Sequence, residues 1–203
     1  MQTLGKITLN ISFLIYLIQF VPQIIHNFRE KHALNNISLL TQFGMLIVVL
    51  CNLIQAIGFN LNWQYLTIVV VYLIGITIQQ IQISFNNKHQ SKNLNIIFVM
   101  LFFITILAIS SKSYFIFEAA GTISLIVHFL YWLPQIYKNY KQQIFVGYGD
   151  LFIIFAWLGV ICDLCSSFLL NWPIIVKTNI IAMFVIISIL ALQKLYYHKN
   201  SRR

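Results

Sequence analysis

FVPQIIHNFREK (residues 20–31) and WLPQIYKNYKQQ (residues 132–143) are the two stretches that decide how this chain is read. Each sets a proline inside an apolar run. Proline removes a backbone donor and clashes with the preceding helical turn, at about 3 kcal/mol or more in a helix interior. The stretches align as PQIIHNFR over PQIYKNYK, 112 residues apart, with Pro, Gln, Ile and Asn matched and conservative changes at Phe/Tyr and Arg/Lys. Sixteen residues beyond each proline stands Ser38 or Asp150, a good N-cap for the apolar run that follows. FNLNW (59–63) and FLLNW (168–172) then precede a third run in each half, the second copy being shorter by three residues. Self-similarity of this kind reads as duplication. The chain is two copies of a three-helix unit.

Composition says where the copies sit. Of 203 residues, 60% are hydrophobic and only 8% charged, against about 25% charged in soluble domains. Too few charges remain to make a water-facing surface, so the expected class is an all-α integral membrane protein. A spanning helix needs about 20 mainly apolar residues, and seven segments qualify: Ile7–Ile25, Ile37–Phe59, Trp63–Phe85, Leu94–Ser111, Tyr114–Tyr137, Leu151–Leu170 and Ile174–Tyr197. The first lacks a small-residue cleavage site and carries Pro22 and Gln23, which reads as a retained helix rather than a signal peptide.

Lys and Arg outnumber Asp and Glu 13 to 4. These charges lie in loops between apolar spans, which argues against a nucleic-acid partner, and positive loops mark the cytoplasmic side. With the N-terminus outside, Arg29, Lys31, Lys88, Lys92, Lys138, Lys141, Lys194, Lys199, Arg202 and Arg203 fall inside, and only Lys6, Lys112 and Lys177 outside. Both proline motifs are followed at once by basic residues, so both must end on one side. Three helices per copy would invert the second, and the extra crossing Leu94–Ser111 restores it. The expected architecture is 3+1+3 with parallel repeats: a first bundle over 1–86, a linker helix within 87–112 and a second bundle over 113–203.

With the dipeptide at Pro22-Gln23 and again at Pro134-Gln135, in register with a 3+1+3 pattern over nearly the whole chain, the sequence resembles the PQ-loop family. That family includes cystinosin-like amino-acid carriers, SWEET and SemiSWEET sugar carriers and the more distant KDEL receptors. SWEET carriers are built from parallel repeats about an axis along the membrane normal. PQIIHNFREKHALNNISLL looks like a SWEET or SemiSWEET first repeat, and LPQIYKNYKQQ followed by AWLG is closer to the cystinosin-like branch. Cystinosin-like carriers have a proton-linked acidic residue whose aligned position here is about Ala156, and the nearest intramembrane carboxylate is Asp163, about two turns onward. SWEET-like proteins have a sugar-contacting Asn in the third helix of each repeat. Asn179 sits near that position in the second copy, and Val70 in the first.

The resemblance implies a carrier of a small polar solute that works by alternating access. Proton-linked transport of an amino acid or related metabolite is the first expectation, facilitated sugar transport the second, and a ligand-binding receptor of the KDEL type the alternative from another class. Neither an enzyme motif nor a cofactor motif is present. The high isoleucine and asparagine content hints at an AT-rich genome, and LYYHKNSRR shows no evident organelle-sorting signal, so a bacterial inner membrane is expected.

Several residues are candidates for the chemistry. Pro22 with Gln23 and Pro134 with Gln135 read as hinges, since each proline frees a carbonyl that needs a partner in lipid and each glutamine brings donors and acceptors to it; static kinks are the bland alternative. Asp163 lies about 20 Å from the cytoplasmic start of its helix and His128 about 14 Å from the end of its own, at 1.5 Å per residue. Charged groups at that depth are rare and usually face a cavity. Both are expected at a proton-coupling site, or else as a hydrogen-bonded pair that only joins helices. Asn179, His128, Asp163 and Tyr131 are the expected solute-binding residues. Glu118 and Lys177 form an outer gate pair or snorkel separately. Gln79, Gln80, Gln82 and Asn86 line an exit path or an interfacial helix end. Tyr16, Trp132 and Trp157 suit stacking on a solute or a membrane-interface belt. Cys162 and Cys165, at i,i+3 in an apolar helix, read as small packing residues without a second ligand pair for a metal.

Overall fold

The computed structural model describes residues 2–29, 37–86, 88–143, 145 and 148–200, with backbone alone at 86, 88–95 and 198–200. Among the described residues all regular structure is helical: α1 Gln2–Arg29, α2 Leu39–Gly58, α3 Trp63–Asn86, α4 Lys88–Ser110, α5 Tyr114–Tyr131, α6 Leu133–Gln142, α7 Asp150–Leu169 and α8 Ile174–Asn200. The last two of the first repeat's helices start and stop within a residue or two of the spans read from hydropathy. Among the described residues six stretches are long and apolar enough to cross a membrane, α5 and α6 counting as one span, Tyr114–Gln142. The apolar part of α4 is shorter, Ile96–Ser110.

The first helix of each repeat packs on the second helix of the other: α1 lies along α7, and α5 along α2. Within a repeat the third helix touches both its mates, α3 on α1 and α2, and α8 on α5 and α7. The linker α4 leans on α2 and α3. Glycines let the repeats approach closely, two of them against tyrosines. A Cβ on Gly44 would stand 2.1 Å from Tyr131 Cβ, and one on Gly159 would stand 2.6 Å from Tyr16 Cε1. A methyl group at either would push a tyrosine out of its seat.

The register of the duplication differs from the sequence reading by a residue. Leu39 and Asp150, the first residues of α2 and α7, are 111 apart, and so are Trp63 and Ile174, the first of α3 and α8. The prolines are 112 apart, so one residue is lost in the loop after the motif. Ser38 is the N-cap of α2, its hydroxyl accepting from Thr41 N. Its counterpart is Gly149, the N-cap of α7, and Asp150 instead occupies the first turn. There its carboxylate pairs with Lys194 at 2.6 Å and meets the positive end of the helix dipole. Likewise the turns superpose Asn60, rather than Asn62, on Asn171, so at this point the second copy is one residue shorter and not three; both asparagines are left-handed, with φ 47° and 56°. Asparagine is among the few residues other than glycine that adopt that conformation readily. The same backbone bonds close both turns, Leu61 N to Ala56 O and Trp172 N to Ser167 O, each at 3.0 Å.

Candidate functional site

A cavity of about 70 Å³ lies between the repeats, and all four expected solute-binding residues, Asn179, His128, Asp163 and Tyr131, line it. Their side chains are almost wholly removed from solvent. Tyr16, Tyr65, Tyr72 and Asn52 complete its polar lining, with Met45, Met183 and aliphatic side chains between them. Toward the proline end a chain of buried rings closes it: Tyr131–Trp132, Trp132–Tyr148, Tyr148–Phe152 and Phe152–Phe20, with centroids 5.2 to 5.5 Å apart. At the other end Tyr65 meets Trp172 edge to face at 5.1 Å, and Trp172 Nε1 donates to Asn62 Oδ1 at 3.2 Å.

Asp163 and His128 do not bind each other. The Ser12 hydroxyl of α1 donates to Asp163 Oδ1, and Tyr16, one turn on, lies beside the carboxyl group. Across the cavity the Ser124 hydroxyl of α5 donates to Asn52 Oδ1 at 2.9 Å and lies 3.5 Å from His128 Nδ1. Ser12 and Ser124 are 112 apart, Tyr16 and His128 are 112 apart, and Asn52 and Asp163 are 111 apart. The two clusters therefore occupy matched positions. One half carries a serine, a tyrosine and an acid; the other carries a serine, a histidine and an amide. A carboxylate taken out of water costs several kcal/mol unless it is paired or hydrogen-bonded, and hydroxyl donors to a charged acceptor each return about 1.5–3 kcal/mol.

Asn179 spans a second contact between the repeats. Its Nδ2 donates to Gln55 Oε1 and Gly121 O, each at 3.3 Å, and its buried Oδ1 has no partner. By the structural register the residue matched to Asn179 is Ile68 rather than Val70, and it lines the cavity as an apolar wall.

The motif glutamines make crossed latches. Gln23 Oε1 accepts from Gly149 N of the other repeat at 2.9 Å, and Gln135 Oε1 accepts from Ser38 N at 3.0 Å. Behind each runs the same relay. Gln23 Nε2 donates to Asn27, Asn27 to Gln82, and Gln82 to Ile24 O; Gln135 donates to Asn139, Asn139 to Gln193, and Gln193 to Ile136 O. Asn27, Asn139 and Gln193 were not singled out in the sequence, although Pro-Gln-Ile-x-x-Asn recurs in both copies. Gln82 belongs to this relay rather than to an exit path, whereas Gln79 is fully buried with both side-chain polar atoms unpartnered. Asn86 lies outside the residues whose side chains are described.

The two prolines differ in setting. Pro22 sits inside α1, which stays helical to Arg29. Pro134 follows a break at Trp132, where α5 stops and α6 begins. The remaining expectations resolve locally. Lys177 donates to Asn171 Oδ1 at 3.3 Å and lies over the Phe168 ring, while Glu118 bonds Tyr114. Among the described residues Glu118 and Lys177 make no ion pair, the lysine finding its acceptor in the adjoining turn. Trp157 is turned outward and donates to Ser188 at 3.1 Å. Cys162 is half-buried and Cys165 exposed.

A multi-pass, all-α membrane protein of two parallel three-helix repeats around a central cavity, mostly apolar with a few polar side chains in its wall, is the class that this fold and site define. Residues 4–65 and 116–176 each match the PQ loop repeat family model, and the chain belongs to the PQ-loop family. No curated protein matches it.

Proposed function

We propose that the protein is a carrier that moves a small polar solute by alternating access between the two repeats, with Asp163 as the site of proton coupling. The observation that carries this reading is a single carboxylate, held by Ser12 beside Tyr16, on a cavity that rings cover at both ends. Opening one end at a time would change the water around that carboxylate, and so would tie its protonation to the direction in which the solute can leave. An amino acid or related metabolite is the solute class first expected from the sequence. The N-terminus is assigned to the outside and the C-terminus to the cytoplasm of a bacterial inner membrane. On that assignment a cysteine at Asn62 is labelled from outside only and one at Ser201 from inside only; labelling of both from one side would sink the topology.

Facilitated sugar transport is the second reading, favoured by the unpartnered Asn179 Oδ1 on the cavity. Counterflow of radiolabelled solutes into proteoliposomes, with and without an imposed pH gradient, tests both. Uptake that responds to the gradient supports coupling, and uptake that ignores it supports facilitation. Binding without any uptake would instead indicate a receptor.

A further inference from the structure

The cavity has a charge pattern that narrows the solute. Tyr16, Tyr65 and Tyr72 stand near one carboxylate with Tyr131 elsewhere on the same wall, and among the described residues lining the cavity there is no lysine or arginine. A zwitterion would bring a carboxylate with no fixed cation to meet it. A sugar would leave Asp163 without a counter-charge. An organic cation needs ring faces, which attract it within about 6 Å of their centroids, and one anion. Those rings are braced: Tyr72 lies edge-on to Tyr16 at 5.2 Å and to Phe20 at 4.9 Å, Tyr65 abuts Trp172, and Tyr16 is seated on Gly159. Tyr72 is further fixed by donating its hydroxyl to Gln19 at 2.6 Å. Asn179 Oδ1, buried and unpartnered, is free to accept a hydroxyl or an N–H from the solute.

We propose that the solute is a small organic cation with no carboxylate of its own, an amine or quaternary ammonium, and that it exchanges with a proton on Asp163. The inference rests on the carrier reading of the same cavity. One carboxylate balances one charge, so the entering cation displaces the proton, which leaves to solvent, and the reverse step returns it. The titratable groups that face Asp163 are Tyr16 from α1, Tyr65 and Tyr72 from α3, and Cys162 on its own helix. His128 and Tyr131 of α5 line the same cavity. Histidine ordinarily titrates between pH 5 and 8, so its part must be measured separately.

Choline and 3,3-dimethyl-1-butanol share a shape and differ in charge. Both are of a size with the cavity, which has room for roughly five waters at about 10–15 Å³ each. Equilibrium binding of the two to the purified full chain in detergent needs no transport. Choline is expected to bind about tenfold or more tightly than the alcohol at pH 8. Its affinity should fall by up to about tenfold per pH unit once the proton competes, and calorimetry in buffers of different ionisation enthalpy should register proton release. The advantage should vanish in Asp163→Asn and shrink in Tyr65→Leu, and the pH dependence should persist in His128→Gln. Equal affinities in the unmodified protein, or no choline binding, overturn the proposal whether or not the variants fold. So does a choline advantage that survives in a folded Asp163→Asn. Any of these results leaves gradient-driven uptake of other solutes intact as a test of the carrier. Choline binding with no uptake into liposomes would remove the carrier reading and keep the cation site.

Discussion

Two half-sites face each other across the cavity, and they differ at two of their three positions, Asp163 against Asn52 and Tyr16 against His128. Ser12 holds Asp163 beside Tyr16; Ser124 and His128 stand beside Asn52. In both, a serine on the first helix of one repeat donates to Oδ1 on the second helix of the other. A carboxylate and a carboxamide have the same outline, so the pseudo-symmetric packing accommodates either. Only the carboxylate can change its charge. On the carrier reading, the duplication supplies matched positions for the repeats to move against each other, and the exchange of amide for acid makes that movement sensitive to a proton.

The comparison breaks most completely when the halves are made alike. Asp163→Asn keeps outline and hydrogen bonding and loses titration. Whatever solute exchange remains across liposomes should no longer respond to the gradient, so that accumulation under a pH gradient of one unit, about tenfold for one coupled proton, falls to simple equilibration. The paired change Asn52→Asp with Asp163→Asn moves the acid to the other half. If position rather than surroundings sets the coupling, that protein regains accumulation. Retention of gradient-driven uptake by Asp163→Asn alone would remove the acid from the mechanism.

A smaller effect separates the serines. Removing a donor to a charged acceptor costs about 1.5–3 kcal/mol and to a neutral one about 0.5–1.5 kcal/mol. Ser12→Ala should therefore destabilise the protein more than Ser124→Ala in denaturant or thermal unfolding in detergent. In an Asp163→Asn background the two should cost about the same. Equal losses in the parent protein would show that Asp163 is neutral there.

Much of this was legible in the sequence because a lipid environment leaves few choices. Apolar runs of the right length must be helices, and PQIIHNFR over PQIYKNYK fixed the duplication. What escaped was register. Ser38 and Asp150 are both plausible caps, so a comparison of residue types aligns them, whereas the backbone sets Ser38 on Gly149 because the loop after the second motif is one residue shorter. That single residue concealed the match of Asn52 with Asp163. The cross-repeat bonds were also out of reach, since the glutamine of each motif finds its partner at the start of a helix in the other copy.

The latches sharpen the comparison at the proline end. Gln23→Ala and Gln135→Ala each remove one bond between repeats, about 1 kcal/mol or a fivefold shift in opening. Lys194 already braces the first latch, donating to Tyr148 O at 2.8 Å beside Gly149 and pairing with Asp150. The residue matched to Lys194 in the first repeat is Ile83, which can do neither. Gln135→Ala should thus raise alkylation of a cysteine placed at the buried Thr41 by about fivefold, and Gln23→Ala by less. Equal rates would mean that the lysine brace carries no share of the closure.

The smallest effect is expected at the prolines, whose settings differ. Pro134 stands just past a helix break, and alanine there restores the missing donor and allows α5 and α6 to join across Trp132. A continuous rod bends less readily, so Pro134→Ala should leave folding and solute binding intact and slow exchange by about two- to threefold, roughly half a kcal/mol at the barrier. Pro22 already lies in an uninterrupted helix, and alanine there changes the path of the chain less. Its exchange rate should stay closer to that of the parent protein. If both substitutions leave exchange unchanged, the prolines are static kinks and the movement is rigid-body rocking of one repeat against the other, governed by the latches alone.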